Sequence, residues 1–368
     1  MTYKNPFTPV FGSEPPLFAG RRQLINSVLN GLANGPGDPY RIVIFTGPRG
    51  SGKTVLMGKI AADAEQNGWI AVHVAAEGGM LTEIIAQLQE HAAHLLPAAS
   101  NSKLSGIQAA GFGVSIEHTA PEDSTWRVEM GRIMDILQEE HVGLLITVDE
   151  VVPNEPELIR FVSALQFFIR EKRNIAVLFA GLSENVKQLL EDSSITFLRR
   201  AFMRELAPLS DADVRTTMKR TIELTEREIS PEALEIATSQ ISGLPFLLQL
   251  IGYHIFNQSD MQVITAADAY AGIDDSKVDM DHMIFESTIS TLTDVEKSFL
   301  LCMAQDDGDS KIANIAQCMH VSSSYVGNYR RKLIDRGIIV SAGRGKLRFA
   351  IPMLKDWLRT HSDLSDAF

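Results

Sequence analysis

Residues 41–54 read RIVIFTGPRGSGKT, and this stretch decides the fold. Arg41–Thr46 is a short, largely apolar run of the kind that forms a buried parallel strand. It leads straight into Gly47-Pro48-Arg49-Gly50-Ser51-Gly52-Lys53-Thr54, which has the spacing G-x-x-x-x-G-K-[ST]. The residue types have physical reasons. Gly50 and Gly52 let the backbone curl so that successive N–H groups face one anion. A helix opening near Lys53 turns its positive N-terminal end to the same place. Lys53 supplies a point charge to phosphate oxygens, and the Thr54 hydroxyl is a hard ligand suited to magnesium. A chance glycine-rich turn is the bland reading. The strand before the motif and the helix after it are the context that a phosphate-binding loop requires.

Outward from the loop, the chain alternates. Thr54–Asn67 has a helical pattern, Trp69–Val74 reads as a second strand, and Leu144–Asp149 and Ile175–Gly181 as further strands with helical stretches between. That rhythm predicts a parallel sheet covered by helices on both faces. Asp149 and Glu150 close the apolar run LLITV. Acidic groups at the C-terminal end of such a strand point into the crevice where open α/β sheets bind ligands. Asp149 is placed to hold magnesium with Thr54, and Glu150 to polarise an attacking water. The predicted reaction is magnesium-dependent hydrolysis of ATP to ADP and phosphate. The nucleotide-binding set is Gly47, Pro48, Arg49, Gly50, Ser51, Gly52, Lys53, Thr54, Val55 and Asp149, and the catalytic pair is Lys53 and Glu150. The second carboxylate weighs against a small-molecule kinase, which delivers phosphate to a substrate other than water.

These two motifs, together with Phe18-Ala-Gly-Arg21 and the segment Gly243-Leu-Pro245, resemble the AAA+ P-loop ATPases. Within them the chain is most similar to the origin-recognition and initiator-like branch and to the related STAND ATPases. The resemblance spans most of residues 15–368. It implies an AAA+ core with a helical lid. Phe18, Gly20, Arg21 and Arg22 then stand as candidates for the wall against adenine, Arg22 among the nucleotide-binding residues. Ser183 or Asn185 is the implied sensor of the γ-phosphate. Arg199 or Arg200 precedes the last core strand, and Arg200 is the candidate that reaches a neighbour's ATP in an oligomer; a solvated helix end is its plain alternative. Initiator-type lids carry a sensor arginine where this chain has Gly243-Leu-Pro-Phe246, the G-x-P pattern of STAND proteins, which assigns Pro245 to the nucleotide.

At 368 residues the chain is too long for one compact core. We divide it into 1–210 (arm and ATPase core), 211–284 (helical lid, without strands) and 285–368 (winged helix-turn-helix). No stretch is long and apolar enough for a bilayer; Leu244–Phe256 comes nearest but is short and contains Gln249 and His254. The start, MTYKNPFTPVFG, lacks a signal pattern, so a cytoplasmic protein without membrane contact is expected. Cys302 and Cys318 read as reduced core residues, not as a disulfide. Residues 97–122 read as an inserted hairpin or loop.

The net charge is −12, yet residues 320–350 carry seven basic side chains against Asp335 alone. Within this basic part, Ser322 is a plausible N-cap for a helix over Ser323–Arg336, with Val326, Tyr329 and Leu333 turned inward. Gly337 ends it, and a hairpin follows around Ala342-Gly-Arg-Gly345. This is the pattern of a winged helix. Used on double-stranded DNA, it would present Ser323, Ser324, Asn328 and Arg331 to the major groove and Arg344 and Lys346 to phosphate. Used on protein, it is a clamp on the ATPase, as in STAND signalling proteins. The basic patch favours DNA. The partners implied are ATP, duplex DNA, and a homo-oligomer or a protein partner.

Overall fold

The structure, a computed structural model, describes residues 3–10, 12–93, 95, 122–281, 285–351 and 353–361. In chain order the core elements are α1 (Arg22–Asn34), β1 (Ile42–Thr46), α2 (Lys53–Glu65), β2 (Trp69–Ala75), α3 (Met80–His91), α4 (Glu122–Glu139), β3 (Gly143–Val151), α5 (Pro156–Arg170), β4 (Ile175–Gly181), α6 (Ser183–Glu191) and β5 (Phe202–Glu205). A 3-10 segment, Ser193–Arg200, precedes β5. The strands form one sheet in the order β2-β3-β4-β1-β5, every neighbouring pair parallel. Side chains alternate between its faces, as the strand period of two demands. Ile44, Val72, Ile146 and Val177 pack under α3, α4, α5 and α6. Val43, Phe45, Leu145 and Leu178 pack under α1 and α2. Burial on both sides explains why the strands read as continuous apolar runs and not as alternating ones. The connection out of β1 runs to β2 at one edge of the sheet and that out of the adjacent β4 runs to β5 at the other, and the crevice at the C-terminal ends of such strands is where these sheets take ligands.

Beyond the sheet come α7 (Asp211–Glu223), β6 (Glu228–Ile229), α8 (Pro231–Ile241), α9 (Pro245–Asn257), β7 (Val263–Ile264) and α10 (Ala266–Met280). The helices start where capping chemistry puts them. Ser210 accepts from Asp213 N, Ser230 from Ala233 N, and Thr265 forms a reciprocal capping box with Asp268. The expectation of a lid without strands needs correction: β6 and β7 pair in parallel, Glu228 with Val263 and Ile229 with Ile264. Two residues per strand are too few to leave a period in the sequence.

The last part holds α11 (Glu286–Ser290), α12 (Asp294–Gln305), β8 (Ser310–Lys311), α13 (Ile312–Cys318), α14 (Ser323–Asp335), β9 (Ile339–Ser341), β10 (Lys346–Phe349) and α15 (Met353–Thr360). The three strands form an antiparallel sheet in the order β8-β10-β9. Three helices and a hairpin thus follow one another as the sequence pattern predicts. Ser322 caps α14 through Tyr325 N, and Val326 and Leu333 are its buried stripe. The final helix α15, not foreseen, covers α12 with Met353, Leu354 and Leu358. The apolar core of the helical lid runs on without a break into this part, from Leu248 and Ile251 to Phe299, Leu333 and Leu358.

The cysteines also depart from expectation. Cys302 of α12 and Cys318 of α13 form a disulfide, with Cα atoms 5.9 Å apart. Both side chains fall on the contact between two consecutive helices, at a separation within bonding reach, which spacing alone did not reveal. Among the described residues no helix is long and apolar enough to cross a membrane. Nearly all of the segment read as an inserted hairpin, up to residue 121, lies outside them, and Glu122 already belongs to α4.

Candidate functional site

The glycine-rich loop leaves β1 at Thr46 and enters α2 at Lys53. Gly52 is the N-cap of α2 in the left-handed region, φ 84°, and Gly50 has φ 76°. A side chain at either position would cost roughly 1–2 kcal/mol. Lys53 Nζ donates to the carbonyls of Gly47 and Pro48, 2.9 Å each, which holds the ammonium over the loop. Burial pushes its pKa down, Asp149 and Glu150 oppose that, and Arg49 adds to it. Ser51 is buried in the turn, its Oγ without a partner among the described residues.

Across the loop, β3 delivers the acidic pair. Thr54 Oγ1 donates to Asp149 Oδ2 at 2.5 Å, and Glu150 N donates to Asp149 Oδ1 at 2.8 Å. The β3–β4 register breaks between Val148 and Val151, and Glu150 sits in the bulge at φ 50°. A bulge re-aims a side chain that a regular strand would send to a fixed face. A glutamate at positive φ is strained, and such strain gathers at functional sites. A hydroxyl and a carboxylate oxygen converging beside a glycine-rich loop form a hard donor set that fits magnesium, an ion which keeps few protein ligands and takes the rest from phosphate and water.

These groups line one cleft of about 520 Å³, a volume within the range of small-molecule sites. From the predicted set it gathers Arg49, Gly50, Ser51, Gly52, Lys53, Thr54, Val55, Asp149, Glu150 and Pro245. Gly47 and Pro48 do not line it; their carbonyls hold Lys53. Arg22 is exposed as the first residue of α1 and does not line it either. The preceding Arg21 does, with Nη2 bonded to Ala207 O at 2.6 Å. One residue of helix phase separates the two: α1 begins at Arg22, which turns its side chain to solvent. Of the sensor candidates, Asn185 lines the cleft and Ser183 does not. Arg199 is engaged with the carbonyls of Leu190 and Glu191 at the end of α6. Arg200 is exposed and makes no hydrogen bond or ion pair among the described residues. Neither arginine reaches this cleft.

Helix α9 touches the loop directly. Phe246 N donates to Gly50 O at 3.3 Å, and a Cβ on Gly52 would stand 3.7 Å from the Pro245 ring. The turn before α9 needs Gly243, where a Cβ would fall 2.5 Å from Leu209 O. The C-terminal part touches the loop too. Gly337, at φ 69°, lies against Pro48, so that a Cβ there would fall 2.5 Å from the proline Cβ. Thr288 of α11 lines the cleft.

Ser323, Ser324, Asn328, Arg331, Arg344 and Lys346 are all exposed. The side chains of Arg344 and Lys346 make no hydrogen bond or ion pair among the described residues, whereas Arg348 is tied to Asp309 at 2.7 and 3.1 Å. Asn328 and Arg331 face a groove of about 550 Å³ whose other side is α6, with Lys187 and Gln188. The sequence reading missed Thr8, Val10, Thr217, Gln249 and Thr288, which also line this cleft. The arm was legible as extended, but its path over the cleft is a tertiary fact.

Residues 282–358 match a family described as a domain of unknown function, DUF8462. No curated protein matches the sequence. A Walker-type ATPase of Pyrococcus abyssi has a similar structure, with TM-score 0.67, 13% identity, and 93% of this chain and 96% of that one covered. Cdc6p from Pyrobaculum aerophilum aligns with TM-score 0.48, 15% identity, and 97% and 96% covered. The ORC2 protein of Aeropyrum pernix aligns with TM-score 0.48, 14% identity, and 98% and 99% covered. The likeness to the first concerns the fold: the parallel-sheet core is that of a P-loop ATPase, as the resemblance to the AAA+ group implies.

Proposed function

We propose that this chain binds ATP with magnesium, hydrolyses it, and uses the cycle as a switch on DNA. The observation that carries the reading is the meeting of Lys53, Thr54, Asp149 and Glu150 in one cleft that the arm and α9 close from above. Lys53 and the N-terminus of α2 hold the phosphates. Thr54 and Asp149 would hold magnesium, which would supply the charge that neutralises the phosphates. Glu150 orients the attacking water and takes its proton, and Asn185 stands at the γ-phosphate end. In an oligomer, the exposed Arg200 reaches a neighbour's nucleotide. Arg200→Ala is then expected to lower turnover by up to about a thousandfold, measured as specific activity against protein concentration. An equal loss in a form held strictly monomeric rules out a role between subunits.

The DNA contact rests on the C-terminal module, whose exposed Arg344 and Lys346 suit a wing on phosphate. Duplex binding is expected to fall steeply with salt, and Arg344→Ala with Lys346→Ala to reduce the log–log salt slope by about 2. Fluorescence anisotropy at several salt concentrations reads this. Absence of binding at low salt, with or without ATP, removes the DNA role.

One observation favours the second reading, a clamp that holds ADP: Gly337 on Pro48, beside α14 facing α6. Under the clamp reading, Gly337→Val overpacks this contact and speeds ADP release by about tenfold or more. Stopped-flow release of a fluorescent ADP decides it, since an unchanged rate leaves the module free to serve DNA alone.

A further inference from the structure

The arm lies along α9 as a second strand of contacts. Asn5 Nδ2 donates to Tyr253 O at 2.9 Å and to Asn257 Oδ1 at 2.8 Å. The Phe7 ring covers Gly252 so closely that a Cβ there would stand 2.4 Å away. Next along the arm, Thr8 N donates to Gln249 Oε1 at 3.0 Å. Gln249 stands one helical turn beyond Pro245, and Pro245 borders the phosphate loop at Gly52. Both line the nucleotide cleft. The loop therefore marks the phosphate end of the cleft, and Gln249 lies toward the arm; the lining joins apolar Val10, Phe18, Leu209 and Leu248 to polar Arg21, Asn185 and Thr217. Apolar walls with a few polar groups suit a flat heterocycle read along one edge.

We infer that Gln249 selects adenine over guanine, and that the Thr8 N–H fixes which way its amide faces. The inference rests on the nucleotide reading above. A glutamine amide offers an acceptor oxygen with two lone pairs and a donor nitrogen. One lone pair of Gln249 takes the Thr8 N–H. The other lone pair and the Nε2 hydrogens remain for the cleft; Nε2 makes no hydrogen bond among the described residues. Adenine carries its exocyclic amino donor beside a ring-nitrogen acceptor on both hydrogen-bonding edges, which matches oxygen and nitrogen of the amide in that order. Guanine carries two acceptors, O6 and N7, on one edge. On the other, its O6 acceptor and N1–H donor have the reverse order and require the amide turned over. Turning it would set the Nε2 donor against the Thr8 N–H donor in a part-buried place, leaving both unsatisfied. The arm thus converts a residue that could read either purine into one that reads adenine.

The test is equilibrium binding of ATP and of GTP to the full chain. The wild type is expected to prefer ATP by about 10- to 100-fold, the size of one mismatched buried hydrogen bond. Gln249→Leu removes the preference by weakening ATP. Gln249→Glu is close in shape, and its carboxylate still accepts from Thr8. It then presents only acceptors, which suit the N1–H and N2 amino donors of guanine, so the preference shifts toward GTP. Thr8→Pro deletes the N–H while leaving Gln249 in place, and is expected to raise GTP affinity with ATP held within a few-fold. A change that merely loosened the lid would weaken both nucleotides alike. An ATP-to-GTP ratio unchanged in both Gln249 variants, with ATP still bound, overturns the inference and leaves the ATPase reading standing. A wild type that binds neither nucleotide overturns the reading and the inference together.

Discussion

Lys53→Ala is expected to weaken ATP binding by about a hundredfold to several thousandfold, close to loss of binding at ordinary nucleotide concentrations. Removing one partner of a part-buried charge pair costs about 3–5 kcal/mol, and each 1.4 kcal/mol is about a factor of ten. The structure places this case at the upper end of what a single lysine can do. The ammonium is half-buried; burial pushes its pKa down, and the nearby Asp149 and Glu150 oppose that shift. Its alignment is set in advance by the carbonyls of Gly47 and Pro48. Little ordering is therefore left for the moment of binding, and less of the attraction to phosphate is lost to side-chain entropy. Lys53→Arg is expected to fail almost as badly, since a planar guanidinium cannot occupy the place of a compact ammonium held by two carbonyls. Titration calorimetry with ATP and with ADP measures both. Thermal melting serves as control and should hardly move, because two carbonyl contacts near solvent contribute little to the fold. Binding by Lys53→Ala within threefold of wild type would remove the phosphate role from this loop.

Some of this site was legible in the sequence, and the boundary between what was and was not has a physical cause. The phosphate loop and the Asp149–Glu150 pair could be read because local spacing dictates them: the anion cradle needs its glycines at fixed offsets, and the acidic pair must end a buried strand. The order of elements in the C-terminal module was readable for the same reason, from the Ser322 cap, the inward stripe of Val326 and Leu333, and the break at Gly337. Everything that depends on two distant segments meeting was hidden. Arg21 and Arg22 are adjacent letters, and only the start of α1 decides that the first lines the cleft. Thr8 and Gln249 are 241 positions apart, and neither belongs to a motif. The disulfide between Cys302 and Cys318 depends on two helices packing at one height. The contact of Gly337 with Pro48 joins the end of one module to the loop of another. Glycine gave the cue in that case, but as a helix terminator, and its second use as the place where two backbones meet leaves no separate mark.

Glu150→Gln is expected to leave ATP binding within a few-fold of wild type and to lower turnover by about 10²- to 10⁴-fold, the usual contribution of a positioned base. The amide keeps the size and the backbone of the glutamate, including its N–H to Asp149 Oδ1, so the hydrogen-bonded pair of Thr54 and Asp149 is undisturbed. What is lost is only the group that can take a proton. The bulge supplies a second, independent readout. Glu150 sits at φ 50°, a conformation that costs a non-glycine residue roughly 1–2 kcal/mol. Asparagine accepts that conformation more readily. Glu150→Asn is therefore expected to raise the melting temperature slightly while abolishing turnover, and Glu150→Gln to leave the melting temperature where it is. A residue retained for stability would behave in the opposite way, since its loss would cost melting temperature and leave the rate alone. Phosphate release under single-turnover conditions, beside a thermal melt of each variant, separates the two. Should Glu150→Gln hydrolyse ATP at the wild-type rate, the base is another group, and the strained bulge serves only to hold Asp149 against Thr54.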